Sequence, residues 1–208
     1  MSPKVYVVRH AESTHNVTKD FSLRDPGLTA TGFTQAKNLG ETFPSLGSTG
    51  TIIASPLTRT IETTLAAFGS ILVSNGGTVP LILDANLQER SALPCDTGSE
   101  TVALTNKFPA VNFTGLNEAE NHAWLSKSGA FSADDDAVAK RAGKVRARLI
   151  EIVKGLEAKE TERKDVVVVT HGVFMKFLVQ DPEIDLPKAG WKAFTVEEKG
   201  DGAVLVPV

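Results

Sequence analysis

The chain has 208 residues, with 22 Lys and Arg against 25 Asp and Glu, for a net charge of −3. That length suits one domain able to bury a sizeable core, and it argues against two independent ones. The charge balance, with no dense basic block, opposes nucleic-acid binding, while the single cysteine, Cys95, excludes an internal disulfide framework or a cysteine-built zinc cage.

The first predicted element is a strand over residues 5–8, in the stretch "KVYVVRHAESTHN". Its apolar run breaks at Arg9, too short for a signal peptide or a membrane span. A soluble, cytoplasmic protein is the expectation, so the sequons at Asn16 and Asn112 read as chance matches. Phe33, Ala36, Leu39 and Phe43 then recur at helical spacing, and a second strand is expected over residues 51–54. Leu57, Ile61, Leu65 and Phe68 mark the next helix, and residues 79–83 the third strand.

Between Glu89 and Asp136 the periodicity weakens. Phe108, Phe113, Leu116, Trp124 and Phe131 give this stretch something to bury, so residues 90–136 read as a cap insertion and not as a linker. A long amphipathic helix carries Val138, Ala142, Val145, Leu149, Val153 and Leu156, and a fourth strand follows over residues 166–169. The tail "AFTVEEKGDGAVLVPV" reads as two strands around a turn at residues 199–202. Short β-branched strands, apolar on both faces and alternating with helices, predict an α/β fold. The expected architecture is a three-layer α/β/α sandwich around a mainly parallel sheet, one domain over residues 1–208.

Ligands of open α/β sheets bind outside the carboxyl ends of the strands, so the residues that follow each strand carry the functional reading. Arg9 and His10 follow the first strand, "SPLTRTIETT" with Arg59 follows the second, and "VVTHG" with His171 follows the last. One histidine where a strand emerges often merely caps backbone groups. Two imidazoles and two guanidiniums converging on one rim form a cationic pocket that is costly unless it holds an anion, and the arginine fork suits phosphate oxygens.

"RHAESTHN", "LTATG", "SPLTRTIETT", "LQER" and "VVTHG", in that order, resemble the sequence blocks of the histidine phosphatase superfamily, particularly its phosphoglycerate-mutase-like branch. The resemblance spans almost the whole chain; Ala11 in place of glycine after His10 is a mild departure. It implies that His10 is a nucleophile that takes the phosphoryl group of a small phosphomonoester and releases inorganic phosphate, without metal or cofactor. Arg9, Arg59 and His171 would hold the phosphoryl oxygens, with Ser13, Asn16 and Gly172 in the same pocket. Glu89 aligns with the family's proton donor to the leaving group, and Gly172 stands where other members carry an aspartate. The plainer alternative for Glu89 is a loop glutamate paired with Arg90. Relatives of this kind include both monomers and dimers, which leaves a homodimer open.

The rest of the reading is negative or secondary. Phosphoglycerate mutases place a tyrosine and a paired arginine after the "LxER" block, whereas this chain continues "SALPCDTGSETVALTNKFPAVNF", which favours hydrolysis over mutase transfer. No P-loop is present, and Thr101 stands where a cysteine phosphatase of Cys95 would need its arginine. "DDDAV" at residues 134–138 reads as acidic residues at a helix N-terminus and not as an aspartyl nucleophile. Glu12 is expected to point away or to pair with an arginine, Glu62 to steady Arg59, and His15 and His122 to be ordinary surface or cap residues. Lys107, Arg90 and Lys127 on one hand, or Phe108, Phe113 and Trp124 on the other, are candidates to contact the substrate's alcohol side. A non-catalytic phosphate-binding protein of the same fold is the rival reading, opposed by the retention of both histidines and both arginines.

Overall fold

The computed structural model describes residues 2–116, 123–200 and 202–208. His122 and Asp201 therefore lie outside the described residues. In chain order the elements are β1 (Val5–Arg9), α1 (Thr14–Thr18), α2 (Ala30–Thr42), β2 (Thr49–Ala54), α3 (Thr58–Phe68), β3 (Leu81–Leu83), α4 (Thr101–Lys107), α5 (Ala123–Ser126), α6 (Asp135–Glu157), β4 (Asp165–Thr170), α7 (Phe174–Leu178), β5 (Trp191–Lys199) and β6 (Gly202–Pro207). The strands form one six-stranded sheet in the order β3-β2-β4-β1-β5-β6. β3, β2, β4 and β1 run parallel, and β5 and β6 add antiparallel at the edge.

Two-residue periodicity sends alternate side chains of each central strand to opposite faces, and both faces are covered. Tyr6, Val8, Ile52, Ala54, Val167 and Val169 pack against Leu39 of α2 and Ile61, Ala67 and Phe68 of α3. Val5, Val7, Ile53, Val166 and Val168 pack against α6 and α7 through Val138, Val145, Leu149, Phe174 and Leu178. Val166 to Val169 are all fully buried, worth roughly 1.5 kcal/mol or more each in transfer free energy. The chain is thus an α/β sandwich with a mainly parallel sheet.

The helix over residues 30–42 departs from its predicted face at one point. Phe33 is 45% exposed, because Gly32, not Phe33, faces inward in the first turn of α2. A Cβ on Gly32 would stand 2.0 Å from the Glu12 carbonyl oxygen, so α2 packs against the loop after β1 by close backbone approach. The third strand is shorter than expected: Val79 makes a single bridge to Leu72 and β3 begins at Leu81. In the segment at residues 90–136, Leu104, Phe108, Phe113, Leu116, Trp124 and Phe131 join the core on the α3 side of the sheet. At its end Asp134 is the N-cap of α6, with Asp135 and Asp136 in the first turn, where carboxylates favour the helix dipole.

Candidate active site

Strand register brings the predicted residues together. Arg9 pairs with Thr170 across β1 and β4, so His10 and His171 are the next residues of neighbouring parallel strands, and their ring centroids are 5.3 Å apart. Ala54 pairs with Val169 across β2 and β4, which sets Ser55 beside the same rim; its Oγ lies 2.8 Å from His171 Nε2. Helix α3 starts three residues later and carries Arg59 in its first turn. Thr63, one turn on, ties this helix to the β1 loop, since its Oγ1 accepts from the Ala11 N–H at 3.0 Å.

The geometry fixes the state of His10. Nδ1 lies 2.7 Å from the Ala11 carbonyl, an acceptor, so Nδ1 carries the proton. Nε2 is left with its lone pair, facing the Nε–H of Arg59 at 3.3 Å. Burial, then Arg59, Lys188 and Arg9, hold the imidazole well below its usual pKa. His10 is therefore a neutral base at neutral pH, with its lone pair on Nε2 accepting from Arg59 Nε–H. His171, fully buried, is likewise held neutral by burial first and then by Arg59, and its Nδ1 has no hydrogen-bond partner among the described residues.

Arg59 is 1% exposed and held on three sides. Besides Nε on His10, Nη1 donates to the Cys95 carbonyl at 2.6 Å and Nη2 to Asp96 Oδ1 at 2.7 Å. One N–H on each Nη stays available to an anion. Asp96, braced by the Ser91 hydroxyl at 2.6 Å, does what Glu62 was expected to do. Glu62 turns the other way, accepting from Leu28 N at 2.6 Å and pairing with Lys107 at 2.7 Å. Arg9 donates from Nη1 to Asp185 at 2.9 Å and to the Leu186 carbonyl, while its Nε is buried without a partner among the described residues. Gly172 lies under this guanidinium, and a Cβ there would meet it at 3.0–3.1 Å.

Arg9, His10, Arg59, Asp96, Gly172 and Asp185 line a cavity of about 300 Å³ together with His15, Asn16, Phe21, Glu89, Ser91, Leu93 and Lys188, among others, a volume that suits a small ligand; His171, fully buried, is not part of this lining. Both Glu89 oxygens are fixed by backbone N–H groups. Oε1 accepts from Arg90 at 2.8 Å and Phe174 at 2.9 Å, and Oε2 from Val173 at 3.0 Å. Glu89 is thus set in the wall at the start of α7, and the Arg90 side chain pairs with Asp135 instead. Ser13 is buried behind the wall, 2.7 Å from His15 Nδ1, whereas Asn16 reaches the cavity.

Several expectations need correction. His15 is buried at the cavity, its ring 6.4 Å from that of His10, because α1 turns back toward β1. Burial and then Arg59 lower its pKa to about 4. Glu12 turns away as expected, but it accepts from the Thr29 hydroxyl at 2.6 Å and meets no arginine. Phe108, Phe113 and Trp124 sit in the core, Lys107 is on Glu62, and the Lys127 ammonium is buried on the Glu89 carbonyl at 2.7 Å. The cavity is lined instead by Phe21, Leu93, Val173, Lys176 and Lys188. Phe21 and Leu93 carried a sequence signal, an apolar residue in a polar loop; Asp96 and Lys188 carried none that composition or periodicity could register.

His15, Cys95 and Asp96 bring a nitrogen, a sulfur and an oxygen within 4.8 Å of one another. The donors are already committed: His15 Nε2 accepts from Asn16 at 3.0 Å, Asp96 is on Arg59 and Ser91, and burial with Asp96 raises the thiol pKa to about 11. They fit a brace for Arg59 better than a metal cage, since the adjacent guanidinium repels a cation.

With this geometry in place, the chain can be set beside known proteins. Residues 5–200 match the histidine phosphatase superfamily, branch 1. The chain belongs to that family. A phosphoglycerate mutase-like protein of Arabidopsis thaliana is 26% identical over 84% of this chain and 73% of its own length. Among solved structures, a mycobacterial glucosyl-3-phosphoglycerate phosphatase superposes with a TM-score of 0.60 at 21% identity, over 99% of this chain and 97% of its own. A phosphoserine phosphatase from Entamoeba histolytica gives 0.57 at 19%, over 98% and 94%. At that identity these two likenesses show the shared fold.

Proposed function

We propose that this protein is a metal-independent phosphatase of small phosphomonoesters that works through a phosphohistidine on His10. The observation that carries the reading is the buried, neutral His10, whose Nε2 lone pair opens on the cationic cavity beside Arg59. Phosphate oxygens fit the free N–H groups of Arg59 and the Arg9 guanidinium, with Asn16 at the edge; with His171 Nε2 accepting from the Ser55 hydroxyl, its unpartnered Nδ1–H adds a further donor. An anion there satisfies donors that the protein itself leaves unpaired.

In the first step Nε2 attacks phosphorus as the P–O ester bond breaks, and Glu89 gives its proton to the leaving oxygen. Oε2, with a single backbone donor, keeps a lone pair to carry that proton. In the second step Glu89 takes a proton from water as the water oxygen attacks phosphorus. The P–N bond breaks, and inorganic phosphate leaves with His10 neutral again. The guanidiniums hold the equatorial charge through both transfers. The cap over residues 90–136 contributes Ser91, Leu93, Cys95 and Asp96 to the wall and thereby shapes which alcohol fits.

Hydrolysis is favoured over mutase transfer because the wall offers no paired arginines for the second acidic group of a bisphosphate. The test is turnover of p-nitrophenyl phosphate with EDTA present, beside 3-phosphoglycerate supplied with catalytic bisphosphoglycerate. Phosphate release that survives chelation is expected. Activity abolished by EDTA, or isomerisation to 2-phosphoglycerate faster than hydrolysis, would overturn the reading.

The acid role of Glu89 has its own signature. Glu89→Gln should lower turnover of alkyl phosphates roughly 10²-fold or more and of p-nitrophenyl phosphate far less, since p-nitrophenolate leaves without a proton. Equal losses on both substrates would assign the proton to another group.

A further inference from the structure

Lys188 carries no hydrogen bond or ion pair among the described residues, although it is half-buried in the wall of the cavity with Arg9, His10 and Arg59. Every other cation of that wall is occupied: Arg9 by Asp185, Arg59 by Asp96 and Cys95, Lys176 by the Pro182 carbonyl at 2.7 Å. The backbone delivers Lys188 to the nucleophile. Its neighbour Gly190 accepts from Arg9 N at 2.9 Å, and Ala189 N donates to the His10 carbonyl at 3.4 Å. Ala189 takes a left-handed φ of 58° to make this turn, a conformation disfavoured for a residue with a Cβ. A strained turn, pinned on both sides to the strand end that bears His10, thus presents an unpaired ammonium to the cavity.

We propose that Lys188 is a third phosphoryl-binding cation, a catalytic residue that contacts the transferring group beside Arg9 and Arg59. An ammonium half-buried beside two guanidiniums, with no carboxylate of its own, is destabilised until an anion arrives. Binding phosphate relieves that repulsion, so part of the affinity of the site is stored in the empty protein. Because Asp96 and Asp185 each engage one arginine fork, Lys188 also restores net positive charge where a dianion must sit. Its electrostatic reach agrees with its place: it acts on His10 more strongly than Arg9 does, and it also acts on His15 and His171. The proposal rests on the phosphatase reading only for the word catalytic; the anion contact stands on the geometry.

Lys188 also makes a distinctive pH signature. Burial, then Arg9 and Arg59, lower its pKa to about 8, opposed by Glu89 and joined by Lys19. Within reach of the same cavity, the three histidines titrate below that value, Lys127 near 7 and Cys95 near 11. Between about pH 7.5 and 10 inorganic phosphate is already the dianion. Loss of the Lys188 charge as pH rises should therefore weaken phosphate binding within this window, the midpoint lying above 8 because the bound anion favours the charged form.

The experiment is calorimetric titration of the whole protein with inorganic phosphate, in EDTA, from pH 7.5 to 10. It uses wild type, Lys188→Met and Lys188→Arg, each checked for native melting. Wild type should lose affinity as pH rises. Lys188→Met should bind about 10- to 100-fold more weakly at pH 7.5 and show no alkaline loss, and Lys188→Arg should bind within a few-fold of wild type and hold to pH 10. Binding by Lys188→Met within twofold of wild type, or an alkaline limb that survives the substitution, would overturn the assignment of Lys188 alone. Phosphate bound by wild type as described but without turnover would overturn the phosphatase reading and uphold the contact. A wild type that binds no phosphate would overturn both.

Discussion

His10→Ala is expected to lower turnover of p-nitrophenyl phosphate by about 10⁴-fold or more, about 5.4 kcal/mol of barrier for each 10⁴, with the fold retained. In the covalent scheme no neighbour replaces the lost nucleophile: His171 Nε2 is held by Ser55, and His15 Nε2 by Asn16. Removing the ring also removes a group whose protonation the site resists, so phosphate should still bind to His10→Ala, through Arg9, Arg59 and His171. The measurement is steady-state kinetics beside phosphate titration of the same variant. Retention of activity within about tenfold would place the chemistry elsewhere.

Trp124→Ala should destabilise the protein by about 3–5 kcal/mol, the range for deleting a large buried aromatic. Trp124 is fully exposed to neither solvent nor cavity: it has 0% accessibility and leads the fully buried side chains in size. It belongs to the core that Phe108, Phe113 and Leu116 share with α3 and the sheet. Its Nε1–H has no partner among the described residues, so the loss is one of packing and not of hydrogen bonding. The same substitution loosens the segment that carries Cys95 and Asp96 against Arg59, so phosphate affinity should fall with stability. Chemical denaturation gives the test, with Trp124→Phe expected to recover more than half of the loss. A cost below about 1 kcal/mol would mean that this segment is not anchored to the core through Trp124.

The parallel strands were legible because β-branched runs such as residues 166–169 have few alternatives once flanked by helical periodicity. His10, Arg59 and His171 were legible for a topological reason: His10 and His171 directly follow strands, Arg59 lies in the first turn of the helix that follows β2, and strand ends of a parallel sheet share a rim. What escaped were contacts across long separations. Asp96 reaches Arg59 from a loop 37 residues away, and no periodicity marks it. Glu62, at helical spacing from Arg59, looked the better partner, but the guanidinium turns from its own helix toward the loop. His15 seemed a surface residue because the five-residue helix α1 is too short to show an inward face. Lys188 was invisible for the same reason as Asp96, since its position depends on a left-handed turn at an alanine.

The central claim is the covalent step at His10, and trapping the phosphoryl-enzyme tests it most directly. Rapid quench of the protein with a radiolabelled phosphomonoester, followed by peptide mapping, should give an acid-labile, base-stable phosphate on the peptide bearing His10, absent from His10→Ala. Label of equal amount in His10→Ala, an acid-stable linkage, or multiple turnovers with no label at any quench time would contradict it.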